Sequence, residues 1–261
     1  MVSTKNKVFA ISLLALAALA GCGGGGDSST PVTAAPAPIP AAEGVFGGTL
    51  TGSTSRAFNL LVLENGDFWT LYGTQTANVF GIAGFVQGTG TSNNGNFTSS
   101  NAKDFGFSPA VSNTVNATYD PTTKTISGKA VAGTSTVTFT GGPVAGSLYD
   151  YNSPSSLTTI AGAWSTTSLT GDGVAINIAS SGSFTALSSL GCAFSGTVTP
   201  RASGKNVFNV ALTFGAAPCA LAGQSASGIA LAYPVSGGKT QLLVAATDTT
   251  RNYGAAVFGT R

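Results

Sequence analysis

The chain of 261 residues contains no histidine, and that absence removes whole classes of chemistry. Ser-His-Asp and Cys-His catalysis need an imidazole to take and return a proton, and the common zinc sites use one as a ligand. Charge is scarce as well. Asp, Glu, Lys and Arg supply 8% of the residues, against about 25% in an ordinary soluble protein. No basic stripe is present to neutralise phosphates, so nucleic acid is not expected as a partner. The carboxylates are scattered. Glu64 and Asp67 form one close pair, but they flank a turn signal and read as solvated turn residues rather than a hydrolase pair. No catalytic residue, metal-ligand set or cofactor is expected, and the chain reads as a non-enzyme. The Glu, Lys, Gln and Leu that sustain long helices are also thin. Gly, Ser, Thr, Ala and Asn take their place, alongside recurring apolar β-formers.

The N-terminus carries Lys5 and Lys7, then an apolar run from Val8 to Ala20. The run falls short of the ~20 apolar residues that span a bilayer and has the layout of a signal peptide. It ends in Leu19-Ala20-Gly21-Cys22, which resembles the lipobox of bacterial lipoproteins. The alternative is an ordinary signal cleaved after Ala18-Leu19-Ala20. The resemblance implies cleavage after residue 21, a diacylglyceryl group and an N-acyl chain such as palmitate on Cys22, and anchoring by those lipids. In that family an Asp after the cysteine favours inner-membrane retention. Gly23 stands there instead, which implies the outer membrane. Loss of Lys5 and Lys7 leaves the mature chain formally neutral. Residues 22–43 are rich in Gly and then in Ala-Pro, and are expected to be a disordered, extended tether.

From residue 44 onward, short alternating segments are separated by turn clusters, the pattern of sandwiches and barrels. Strands are expected at 45–51, 57–64, 67–73, 79–89, 95–100, 113–119, 124–131 and 134–140. A second set falls at 160–169, 174–180, 183–188, 192–199, 206–214, 225–234, 239–247 and 253–260. The halves match locally. Gly44-Val45-Phe46 answers Gly162-Ala163-Trp164, Gly66-Asp67-Phe68 answers Gly182-Ser183-Phe184, and Ile126-Ser127-Gly128 answers Ala226-Ser227-Gly228. An all-β chain with two tandem domains follows, at 44–148 and 149–261, each a small antiparallel barrel or a sandwich.

With Cys22 acylated, Cys192 and Cys219 remain as a pair in an oxidising compartment, where a disulfide is expected; two buried thiols are the alternative. Pairing the two strands between them brings these cysteines together at the open end of the hairpin. Trp69 and Tyr72, in an aromatic cluster with Phe68, are the candidate contacts for an apolar or sugar-like ligand. Gly162-Ala163-Trp164 on a first strand, with Arg261 closing the last, resembles the calycins (lipocalins and avidins). The resemblance implies a calycin-like barrel whose closed end is a cation–π contact between Trp164 and Arg261. Together these features point to a non-catalytic outer-membrane lipoprotein that binds a small apolar ligand or a protein. A structural envelope protein without a dedicated ligand is the alternative.

Overall fold

The computed structural model describes residues 38–52, 55–76, 79–144 and 146–261. The expected signal peptide, Cys22 and most of the expected tether lie outside the described residues. The described chain forms two eight-stranded antiparallel barrels in tandem, and 38–261 is one compact unit.

The first barrel is a meander. β1 (Gly44–Thr51), β2 (Arg56–Val62), β3 (Asp67–Thr76) and β4 (Val79–Thr89) pair in sequence. β5 (Thr91–Asn93) continues β4 past Gly90, where a β-carbon would lie 2.1 Å from the Phe97 ring. β6 (Asn96–Asp104), β7 (Val111–Asp120), β8 (Thr125–Ala132) and β9 (Ser135–Gly142) follow, and β9 returns to β1. The ring closes between β4 and β6 through Val86 with Asp104 and Gln87 with Lys103. Taking β4 and β5 as one bent strand, the ring has eight strands.

Residues 143–156 and a short helix α1 (Leu157–Ile160) lead into the second barrel. Its strands are β10 (Gly162–Ser168), β11 (Gly173–Ile178), β12 (Ser183–Ser188), β13 (Ala193–Pro200), β14 (Phe208–Phe214), β15 (Ser225–Val235), β16 (Lys239–Asp248) and β17 (Gly254–Thr260). Each pairs with the next, and β17 closes on β10 with Thr166 opposite Gly259.

Alternation accounts for most of these strands. Val174, Ile176 and Ile178 of β11 point into the lumen while Ala175 and Asn177 face water. β15 and β16 read as nearly continuous apolar runs because both of their faces are covered. Ala226, Ala230, Leu242 and Ala246 fill the second lumen, whereas Ile229, Leu231, Leu243 and Ala245 pack against Leu61, Trp69, Leu71, Phe80 and Phe85 of the first barrel. Gln241 is fully buried in that interface. Its amide donates to the Phe80 carbonyl at 2.7 Å and accepts from the Phe80 N–H at 3.1 Å and the Tyr233 hydroxyl at 3.2 Å. Burial pushes the Tyr233 phenol up to about 12. At the far end of β17, Gly254 admits the rings of Phe85 and Phe105, since a β-carbon there would lie 2.6 Å from Phe85.

The halves share local geometry where two of the sequence matches fall. Gly44 and Gly162 open their barrels at φ 118° and 114°. Gly66 and Gly182 occupy equivalent turns, donating to the Leu63 and Ala179 carbonyls. The third match pairs strands that are not equivalent: Gly128 lies on the seventh strand of its ring and Gly228 on the sixth. Both glycines answer the same local need, a neighbouring backbone that leaves no room for a β-carbon.

Candidate functional site

The second barrel is filled. Trp164 donates its indole N–H to the Ile160 carbonyl at 2.7 Å, and the Arg261 guanidinium lies 4.0 Å from the Trp164 ring centroid. Arg261 also donates to the carbonyls of Ala161 at 2.7 Å and Thr159 at 3.1 Å, tying the last strand across α1 and the first strand. The Phe194 ring lies between those of Phe184 and Phe214 toward the other end. There Cys192 and Cys219 form a disulfide with their α-carbons 4.5 Å apart, joining the loops before β13 and after β14.

The first barrel is hollow. A cavity of about 660 Å³ runs down its lumen. Phe68, Phe97 and Ile126 form its floor, and Phe58, Leu60, Val115 and Phe139 its wall. Edge-to-face contacts between Phe58 and Phe139, and between Phe68 and Phe97, hold the rings against the strands. The floor is sealed from below by residues 38–43. The Tyr119 hydroxyl donates to the Pro40 carbonyl, and the Ala42 N–H donates to Ser92 Oγ. Within the expected tether, Pro40 and Ala42 are therefore tied to the barrel, with Ala42 buried and residues 38–41 exposed.

The mouth carries the polar side chains of Arg56, Tyr72, Asp104, Asn113 and Ser135 beside apolar Leu50, Phe107 and Val111. The Tyr72 hydroxyl donates to Asp104 Oδ1 at 2.7 Å, and the Gly106 N–H donates to the same oxygen at 2.8 Å. Gly84 and Gly106 leave the slot in which this hydroxyl sits, because a β-carbon would lie 2.2 Å from it at Gly84 and 1.9 Å at Gly106. The Arg56 guanidinium stands 5.5 Å from the Tyr72 ring centroid. Burial and the adjacent Asp104 drive the Tyr72 phenol far above its ordinary range. Burial also raises Asp104, against the Gly106 N–H, the Tyr72 hydroxyl and the Arg56 charge, which restrain the rise.

Of the two expected ligand contacts, the structure places Tyr72 in the cavity wall and Trp69 elsewhere. Trp69 stacks on Phe85 at 5.8 Å in the interface between the barrels. The reason is the strand period: residues three apart on β3 face opposite sides of the sheet, so Trp69 and Tyr72 cannot share a lumen. Arg56 and Asp104 were not expected. Glu64 and Asp67 are turn residues with structural partners. Glu64 is lowered because its own N–H and Arg201, 2.8 Å away, outweigh burial, and Asp67 accepts from Asn65 and Thr89. Two Ser-x-x-Lys spacings occur, Ser100 to Lys103 and Ser236 to Lys239. Lys103 donates to Asn252 across the barrel interface, and Ser236 lies in a turn.

No protein-family model matches the chain, and no curated protein matches it in sequence. Among solved structures it is similar to a protein of unknown function from the DUF3598 family of Nostoc punctiforme. The two share 9% identity over 84% of this chain and 94% of that one, with a TM-score of 0.26.

Proposed function

We propose that the protein is a non-catalytic binding module, anchored in the outer membrane through lipids on Cys22, that takes a small apolar ligand into the lumen of its first barrel. The hollow lumen carries this reading. Its volume of about 660 Å³ is within the ~300–1,000 Å³ of small-molecule sites, and its lining combines apolar walls with a few polar groups at the rim. The filled second barrel then serves as the scaffold on which the first is mounted. The formally neutral mature chain supports the absence of nucleic acid from its partners.

Native mass spectrometry of the protein purified from its own envelope tests the reading. A stoichiometric extra mass, lost on denaturation and absent from an Ala130→Trp variant that fills the lumen, is the expected result. A mass retained in that variant would move the ligand to another surface. A bare chain that binds no apolar dye would favour the structural envelope role.

A further inference from the structure

The polar groups at the mouth of the first barrel are unequally satisfied. Asp104 Oδ1 accepts from Tyr72 and Gly106, and Oδ2 has no partner among the described residues. Arg56 rests over the Tyr72 ring and donates to no described residue. These are the only charged side chains in the described lining, one of each sign, with Tyr72 between them. An anionic head group seated on Arg56 would lie beside the Asp104 carboxylate. A cationic head seated on Asp104 would lie beside the Arg56 guanidinium. Either ion would trade one attraction for one repulsion, and an ion reaching the half-buried Asp104 would lose part of its hydration as well. A neutral head with both a donor and an acceptor meets both groups: its oxygen accepts from Arg56 and its hydrogen is donated to Asp104.

We propose that the first barrel selects apolar ligands with an uncharged hydroxyl or amide head over their carboxylate and ammonium counterparts, and that Arg56 and Asp104 read the head. This rests on the lumen being the ligand site.

Displacement of Nile red, a neutral apolar dye, from the full chain provides the test. The competitors are 1-tetradecanol, tetradecanamide, tetradecanoate and tetradecylammonium, which share one tail and are used below the concentrations at which they aggregate. The alcohol and amide displace the dye at concentrations roughly tenfold lower than either ion, a difference worth about 1.4 kcal/mol. Asp104→Asn keeps an oxygen for Tyr72 and Gly106 but removes the charge, and it shifts the ranking toward tetradecanoate. Arg56→Gln shifts it toward tetradecylammonium. Equal displacement by all four competitors, or a ranking unchanged in both variants, overturns the head-group proposal and leaves the lumen site standing. A folded protein that binds no dye overturns both.

Discussion

Both barrels are rings of eight antiparallel strands, yet one is hollow and the other is filled. The strand pattern therefore does not decide the interior. Side-chain volume and the closure of each end decide it. In the second barrel Trp164 occupies one end under Arg261, Phe194 and Phe214 lie toward the disulfide at the other, and Phe184 packs between. In the first, Phe46 takes the position equivalent to Trp164, and Phe68, Phe97 and Ile126 close that end with residues 38–43 beneath them. The opposite end keeps its polar rim and its space. The disulfide and the Trp164–Arg261 contact both belong to the filled barrel, so these ties are concentrated away from the hollow one.

The comparison can be broken most forcefully at the disulfide. Replacing Cys192 and Cys219 by Ser releases a loop with a sequence separation of 27 residues, and the chain-entropy relation puts the loss at roughly 3–4 kcal/mol. Urea unfolding should show one transition at a lower midpoint. Two separated transitions would mean that the barrels unfold independently. A matched pair of enlargements probes the lumens directly. Ala230→Leu, in the filled barrel, should cost about 1–3 kcal/mol through overpacking. Ala130→Leu, which points into the cavity, should change stability little. Equal losses in thermal denaturation would show that the first barrel is not hollow in solution.

The most local expected effect concerns the link between the barrels. Arg251, on the turn between β16 and β17, donates to the carbonyls of Gln87 at 2.8 Å and Asn101 at 2.9 Å, one on each side of the seam that closes the first barrel. Burial holds its guanidinium below the ordinary range, against the pull of Asp67. Arg251→Ala should cost about 1–2 kcal/mol. Its signature is faster amide hydrogen exchange in β4 and β6, in the barrel that does not contain the substitution. Exchange that quickens only around β16 and β17 would show that the seam closes without help.

Much of the fold was legible because a half-buried strand repeats every two residues and its turns are marked by glycine. The expected segments 79–89 and 183–188 coincide with β4 and β12. The short β5 and α1 were not legible, since neither is long enough to show a period. At the site, Tyr72 was visible as an aromatic on a hairpin, but Asp104 was hidden by a bulge. Phe97 and Ser99 face inward, then the register of β6 shifts between Ser99 and Ala102. Strict alternation from Phe97 would turn Lys103 inward and Asp104 outward. The bulge reverses this, so Asp104 reaches the mouth and Lys103 reaches Asn252. Arg56 opens a strand, where a charged residue at the water's edge is unremarkable until the cavity beside it is seen.

The interface between the barrels joins β2, β3 and β4 to β15, β16 and β17, strands from opposite ends of the folded region. A ribosome makes these two sets in order. The first barrel can complete its own ring long before its partner exists, and until then Leu61, Trp69, Leu71, Phe80 and Phe85 face water as one apolar patch. The last three strands, with Tyr151 and Val207, cover it. A chain whose first barrel closes before β17 is made therefore carries an adhesive surface of the kind that makes partly folded chains prone to aggregate.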